Sequence, residues 1–434
     1  MVNEISKTMD FKLKPYTGES HPEVDITTLH GKVVCGYQGW FNAPGDGADM
    51  QWGSWDGRNH LFRPGSCTID MWPDMSELGE DERYETEFKL PDGRKATVFS
   101  AHNRKTVLRH FRWMREYGID TAFVQRFIEG LTKPVIFNHR NTVLAHCREG
   151  ANLYGRSYSV MYDLSGMKAN SIHLVIDDWK RLVDQMGITR DSQDRAYQHH
   201  RGKPVVTIWG IGFNDGREYS LEECLKLVEF FKEDSCYGNN TIMLGVPTGW
   251  REQSEQHFYR PKIEERFLVM DGDSQRDPLL HEIIKKADIV SPWTVDRFRD
   301  DEGAEYIARQ IWKQDLDWCI LYGLEFMPVV FPGFSWSNLN SGEKFNAIPR
   351  RKGEFLWKQY YECVRLGVPM IYQAMFDEVN EGTAIFKCTN NPPAGENKFV
   401  DYEGLPSDHY LWLVGQGGKM LRREIPLTAK IPTR

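Results

Sequence analysis

Through most of this chain, apolar runs of strand length alternate with longer segments whose apolar residues recur every three or four positions. Runs that are apolar throughout read as strands buried on both faces, and the periodic segments read as helices covering them. The first run is VVCGYQGWF, Val33 to Phe41. After a long interruption come helix Lys105–Tyr117, closed by Gly118, and strand Thr121–Phe127. Helix Thr142–Tyr154 then leads to strand Tyr158–Leu164, helix Ile172–Met186 to strand Pro204–Gly212, and helix Leu221–Lys232 to strand Thr241–Val246. Helix Pro278–Lys286 precedes strand Ile289–Trp293, helix Ala304–Tyr322 precedes strand Phe326–Phe331, and helix Glu354–Leu366 precedes strand Met370–Phe376.

Eight strands alternating with helices predict an α/β fold of the (β/α)8 TIM-barrel type. A doubly wound open sheet is the alternative, but no GxGxxG follows the first strand. The chain reads as a single domain, 1–434, with three additions to the barrel. Residues 1–30 are polar and form an N-terminal arm. Residues 42–103 form a long β1–α1 insertion, in which two β-prone runs flank Pro91-Asp92-Gly93, a hairpin signal. Residues 388–434 form a C-terminal extension packing on the barrel, and the apolar stretch Tyr410 to Val414 is expected there as part of a hairpin.

Composition narrows the function. The chain is 40% hydrophobic and 27% charged, which suits a sizeable core. A formal net charge of -8 argues against nucleic acid as a partner, and no apolar run reaches the length of a membrane span. The first residues, MVNEISKTMDFKLKP, carry no apolar core of a secretion signal. Eight cysteines are scattered with no CxxC pair and no histidine at zinc-ligand spacing, so no structural zinc site is expected. No cofactor is expected either. Fourteen tryptophans and 18 tyrosines supply flat faces that stack on sugar rings.

In such barrels the chemistry lies where the strands end and in the loops that follow. That rule selects Tyr37 and Trp40 after strand 1, Gln125 and Arg126 on strand 2, Tyr162 and Asp163 on strand 3, and Trp209 and Asn214 at strand 4. It adds Trp250 after strand 5, Trp293 on strand 6, Trp336 after strand 7, and Asp377, Glu378, Asn380 and Glu381 after strand 8. Each has a plain alternative role in packing, capping or solvation, and the weight lies in the recurrence. Two glutamates three residues apart converge only if the backbone turns between them, and Gly382 stands where such a turn needs it. Paired acids among stacking faces describe a site that cleaves glycans, with a carbohydrate as the expected partner.

The motif FDEVNEGTAI, Phe376 to Ile385, resembles the strand-8 motif of glycoside hydrolase families 71 and 99, and YQGWF, Tyr37 to Phe41, is similar to their strand-1 motif. HFRWMREYGIDTAFVQRF (His110 to Phe127) and GKPVVTIWGIGF (Gly202 to Phe213) resemble a bacterial subgroup of family 99-like proteins often labelled xylosidase/arabinosidase. The resemblance implies a metal-free retaining glycosidase like the endo-α-mannosidases. Carried over, Glu378 is the base acting on the sugar 2-hydroxyl, which attacks C1 to give an epoxide-like intermediate, and Glu381 is the acid/base. The chain departs from the family 99 pattern at Asp377, Val379 and Asn380, where Asn and Trp-His are usual, so sugar specificity is expected to differ. An exo-acting xylosidase or arabinosidase and a carbohydrate-binding barrel without catalysis are the alternatives.

Overall fold

The computed structural model describes residues 13–56, 60–251 and 273–434, so the first twelve residues of the expected arm lie outside it. Eight parallel strands form the centre. They are β1 (Val33–Tyr37), β2 (Thr121–Phe127), β3 (Ser157–Asp163), β4 (Lys203–Trp209), β5 (Thr241–Pro247), β6 (Ile289–Trp293), β7 in two pieces (Glu325–Phe326 and Val329–Val330) and β8 (Ile371–Gln373). β1 pairs with β2 on one side and with β8 on the other. The first piece of β7 pairs with β6 and the second with β8, so this broken strand closes the ring. The protein is a (β/α)8 barrel.

The helices form where the sequence supplies both an apolar stripe and end signals. α1 (Arg104–Tyr117) is capped by Asn103, whose side chain accepts from the Lys105 amide, and ends at Gly118 with φ 77°. α2 spans Pro134–Tyr154, beginning two turns before the expected Thr142 with proline in its first turn. α3 (His173–Gln185) and α4 (Leu221–Glu233) follow β3 and β4, and α4 carries a Ser220–Glu223 capping box. α5 spans Pro278–Lys286. α6 runs from Asp301–Tyr306 through a π-helical turn, Ile307–Trp312, into Lys313–Leu321, and α7 spans Glu354–Leu366.

The C-terminal extension departs from the expected hairpin. Residues His409–Leu421 form a helix, α8, which packs between α1 and α7 and completes the outer ring. Three glycines within this stretch read as helix breakers. They serve close approach instead: a Cβ on Gly415 would lie 1.9 Å from the Tyr117 carbonyl oxygen, and one on Gly417 would lie 2.4 Å from the Tyr360 ring.

The insertion contains an antiparallel hairpin, Tyr84–Lys89 with Lys95–Val98. Its earlier part reaches the chain beyond β8 through bridges between Met71 and Val400 and between Pro73 and Cys388. The arm runs under the opposite end of the barrel, where the Gly31 amide donates to the Pro369 carbonyl and the His199 amide donates to that of Ile26. All eight cysteines are free, and seven are buried. Among the described residues, no helix is long and apolar enough to cross a membrane.

Candidate active site

β8 is only three residues long, and the chain beyond it folds back on itself. The amides of Thr383 and Ala384 both donate to the Glu378 carbonyl, while those of Ile385 and Phe386 donate to that of Phe376. Gly382 sits in this turn at φ 66°, a left-handed conformation that a side chain would strain. The turn carries Glu378 and Glu381 at the carboxyl end of the barrel.

Glu378 is 2% exposed. Its Oε2 accepts from Gln38 Nε2 at 2.8 Å, and its Oε1 accepts from the Asn380 amide at 3.0 Å. Burial pushes its carboxyl well above the ordinary range, with the charges of Glu381 and Asp377 adding to the rise. Glu381 is partly exposed, and its carboxylate has no hydrogen-bonding partner among the described residues. Burial, with Asp296 and Asp163 beside it, pushes it up to about 7, against a lowering by Arg297. Asp163, on β3, is itself pushed up to about 6 by burial, although the Ser165 amide donates to it at 2.8 Å.

Aromatic rings stand at the neighbouring strand ends. Trp209 and Trp293 meet edge to face with centroids 5.7 Å apart, and Trp293 lies 6.4 Å from Tyr372. Buried Gln125 lies on β2, and the Tyr372 hydroxyl donates to the Met161 sulfur at 3.4 Å. Trp40 stacks on Phe127 at 5.3 Å on the rim, and Trp336, also partly exposed, follows Ser335, whose amide donates to the Glu381 carbonyl at 2.9 Å.

Seven expected site residues lie elsewhere. Arg126 and Tyr162 point outward into the helix layer, where both bond the carboxylate of Asp178 on α3. Neighbouring strand residues face opposite ways, so only one of Gln125 and Arg126, and one of Tyr162 and Asp163, can face the lumen. Tyr37 also points outward, its hydroxyl 2.9 Å from His110 Nδ1 on α1. Trp250 is fully buried against Trp318 and His281, between α5 and α6. Asp377 is a buried staple that accepts from the amides of Gln38 and Gly39 at 2.8 and 2.9 Å, and burial pushes it up to about 6. Asn380 is buried and donates to the Ser54 and Thr68 carbonyls of the insertion. Asn214 is exposed in the loop after β4.

Sequence reasoning missed Gln38 and Asp296. Both follow strand ends, and the strand-end rule would have reached them had it been extended past aromatic residues to every polar side chain there.

Outside this mouth, His30, His200 and Glu325 bring potential metal-ligating atoms within 4.8 Å of one another at the opposite end of the barrel. The Leu29 amide donates to His200 Nδ1, which leaves the proton on Nε2 to be donated to Glu325 at 2.6 Å. A metal-bound imidazole needs the reverse arrangement, with its free nitrogen donating. The cluster is therefore a clamp on the arm.

Fold and site together define a (β/α)8 barrel with two raised glutamates in the turn after its last strand. No protein-family model matches the sequence, and no curated protein matches it. Among solved structures, the chain is similar to the GH99 endo-alpha-mannosidase from Bacteroides thetaiotaomicron, with TM-score 0.62 and 16% identity over 91% of this chain and 99% of that one. A structure of that endo-alpha-mannosidase in complex with bis-tris-propane gives the same score and identity over 92% and 99%. A glycoside hydrolase-like protein matches with TM-score 0.51 and 13% identity over 93% and 97%. At such identities the likeness concerns the fold.

Proposed function

We propose that this protein is a glycoside hydrolase that cleaves an α-linked glycan or polysaccharide with retention, using Glu378 as base and Glu381 as acid/base. The observation that carries the reading is the turn after β8, which brings Glu381 near enough for its charge to act on the buried Glu378. Two such carboxyls cannot both ionise easily, so they share a proton and can divide the roles of acid and base. Glu378, gripped by two N–H donors, is held in one orientation as an acceptor. Glu381, partly open to the mouth and without such donors, is free to hand a proton to a leaving group and take one back from water.

The resemblance of FDEVNEGTAI and the likeness to an endo-acting α-mannosidase fold both favour this chemistry. The exo-acting xylosidase or arabinosidase reading finds no counterpart in those structures. Asp377 and Asn380 serve as staples, so the sugar contacts fall to Asp163, Trp209, Trp293, Trp336 and Trp40. Assays on α-linked oligosaccharides and on aryl glycosides test the roles. Glu378→Gln should lose turnover on every substrate. Glu381→Gln should lose it on substrates with poor leaving groups and keep part of it on aryl glycosides that leave unassisted. Undiminished turnover in either variant would remove that residue from the mechanism, and glycan binding without any product would favour the non-catalytic barrel.

A further inference from the structure

We infer that Asp70, in the middle of the β1–α1 insertion, is a positioning residue for Glu381, which makes the insertion a working part of the site. The inference rests on the reading of Glu378 and Glu381 as the acid pair.

Asp70 is fully buried. Its Oδ2 accepts from the Ser335 hydroxyl and from the amide and hydroxyl of Ser337, the latter two both at 2.9 Å, and its Oδ1 accepts from the Asn338 amide at 2.8 Å. With its acceptor sites so filled, the carboxylate acts through its neighbours. The Asp70 amide donates to the Val379 carbonyl at 2.8 Å, between the two glutamates, and the Ser335 amide donates to the Glu381 carbonyl at 2.9 Å. One residue thus grips the turn at 379 directly and at 381 through Ser335.

The two loops are in close contact. A Cβ on Gly382 would lie 2.9 Å from Ser335 N, so a displacement of the Ser335 loop passes to the turn without slack. Trp336 stands between Ser335 and Ser337, two of the three residues the Asp70 carboxylate holds, so the same anchor sets that ring on the rim. Misplacing a reacting group by about 1 Å costs roughly a hundredfold in rate, so an anchor at this position has a large effect without touching substrate.

Asp70→Asn puts an N–H donor where the native oxygen meets only donors. It should lower kcat about 10- to 100-fold and leave KM within about threefold. In a carbon-13 NMR titration of the carboxyl groups, Glu381 in this variant should titrate clearly below its native position near 7, because a loosened turn lets water reach it. A variant with native kcat and a native Glu381 titration would overturn the assignment. If Asp70→Asn does not fold, Ser335→Ala keeps the carboxylate, removes one link in the relay, and is judged by the same two measurements. Wild-type protein that releases no sugar would refute the hydrolase reading, while the titration would still decide the role of Asp70.

Discussion

At the scale of single residues, the site is defined by acids that the fold keeps from ionising. Asp163, Asp296 and Asp377 are each pushed up to about 6, Glu381 to about 7, and Glu378 well above its ordinary range, with burial the first cause for all five. For a coupled pair the protons leave in two steps that belong to the pair. Glu381 is the proposed acid, and its carboxyl releases its proton near pH 7. The alkaline limb of kcat/KM should therefore fall near pH 7, more than two units above an unperturbed glutamate. A pH–rate profile with its alkaline limb near 4.5 would show that the pair is better hydrated than this geometry implies.

At the scale of elements, a strand end contributes alternate side chains. Arg126 and Asp178, each 1% exposed, form a bidentate pair at 2.7 and 2.6 Å between β2 and α3, joined by the Tyr162 hydroxyl at 2.8 Å. Removing one member of such a pair leaves the other charged and unpaired in the core. Asp178→Ala should lower stability by about 3–5 kcal/mol in chemical denaturation while leaving the mouth residues in place. A loss below about 1 kcal/mol would mean that water reaches Arg126. The same alternation explains how much of the site the sequence made legible. Periodicity located every strand end, so Glu378, Glu381, Asp163, Trp209 and Trp293 were within reach. It could not say that Arg126, Tyr162 and Tyr37 face the helices, because the strands are apolar on both faces and polarity gives no sign of the lumen side. Nor could it show that Asp377 and Asn380 hold loops, since their partners lie more than 300 residues away. The helix α8 was out of reach for a related reason: the purpose of its glycines is visible only against the backbone of α1 and the Tyr360 ring of α7.

At the scale of the whole molecule, the repeat of strand and helix was enough to specify the barrel, and the cost of its active mouth should appear in its stability. A carboxyl raised above its unfolded value holds a proton in the folded state that the unfolded chain has released. Between about pH 4 and 7 the folded state therefore binds more protons, and stability falls as pH rises. Asp163, Asp296, Asp315 and Asp377, at about 6, and Glu381, at about 7, all act in this window, and Glu378 acts with them. Buried His110, lowered to about 3, acts the other way: the unfolded chain takes up its proton near 6.5, so its contribution is lost as pH falls from there toward 3. His281 and buried His409 are lowered as well, but the six carboxyls outweigh the three imidazoles, each group contributing up to about 1.4 kcal/mol per pH unit while only one state is protonated. The melting temperature should accordingly be higher near pH 5 than near pH 7.5. The double variant Glu378→Gln, Glu381→Gln should be inactive and show a flatter profile, melting above the wild type at pH 7.5 and close to it at pH 5. Calorimetry across this range decides the matter: a wild-type melting temperature that climbs steadily from pH 5 to 7.5 would mean that these carboxyls ionise freely, and that the mouth lacks the water-poor character on which the paired-acid chemistry depends.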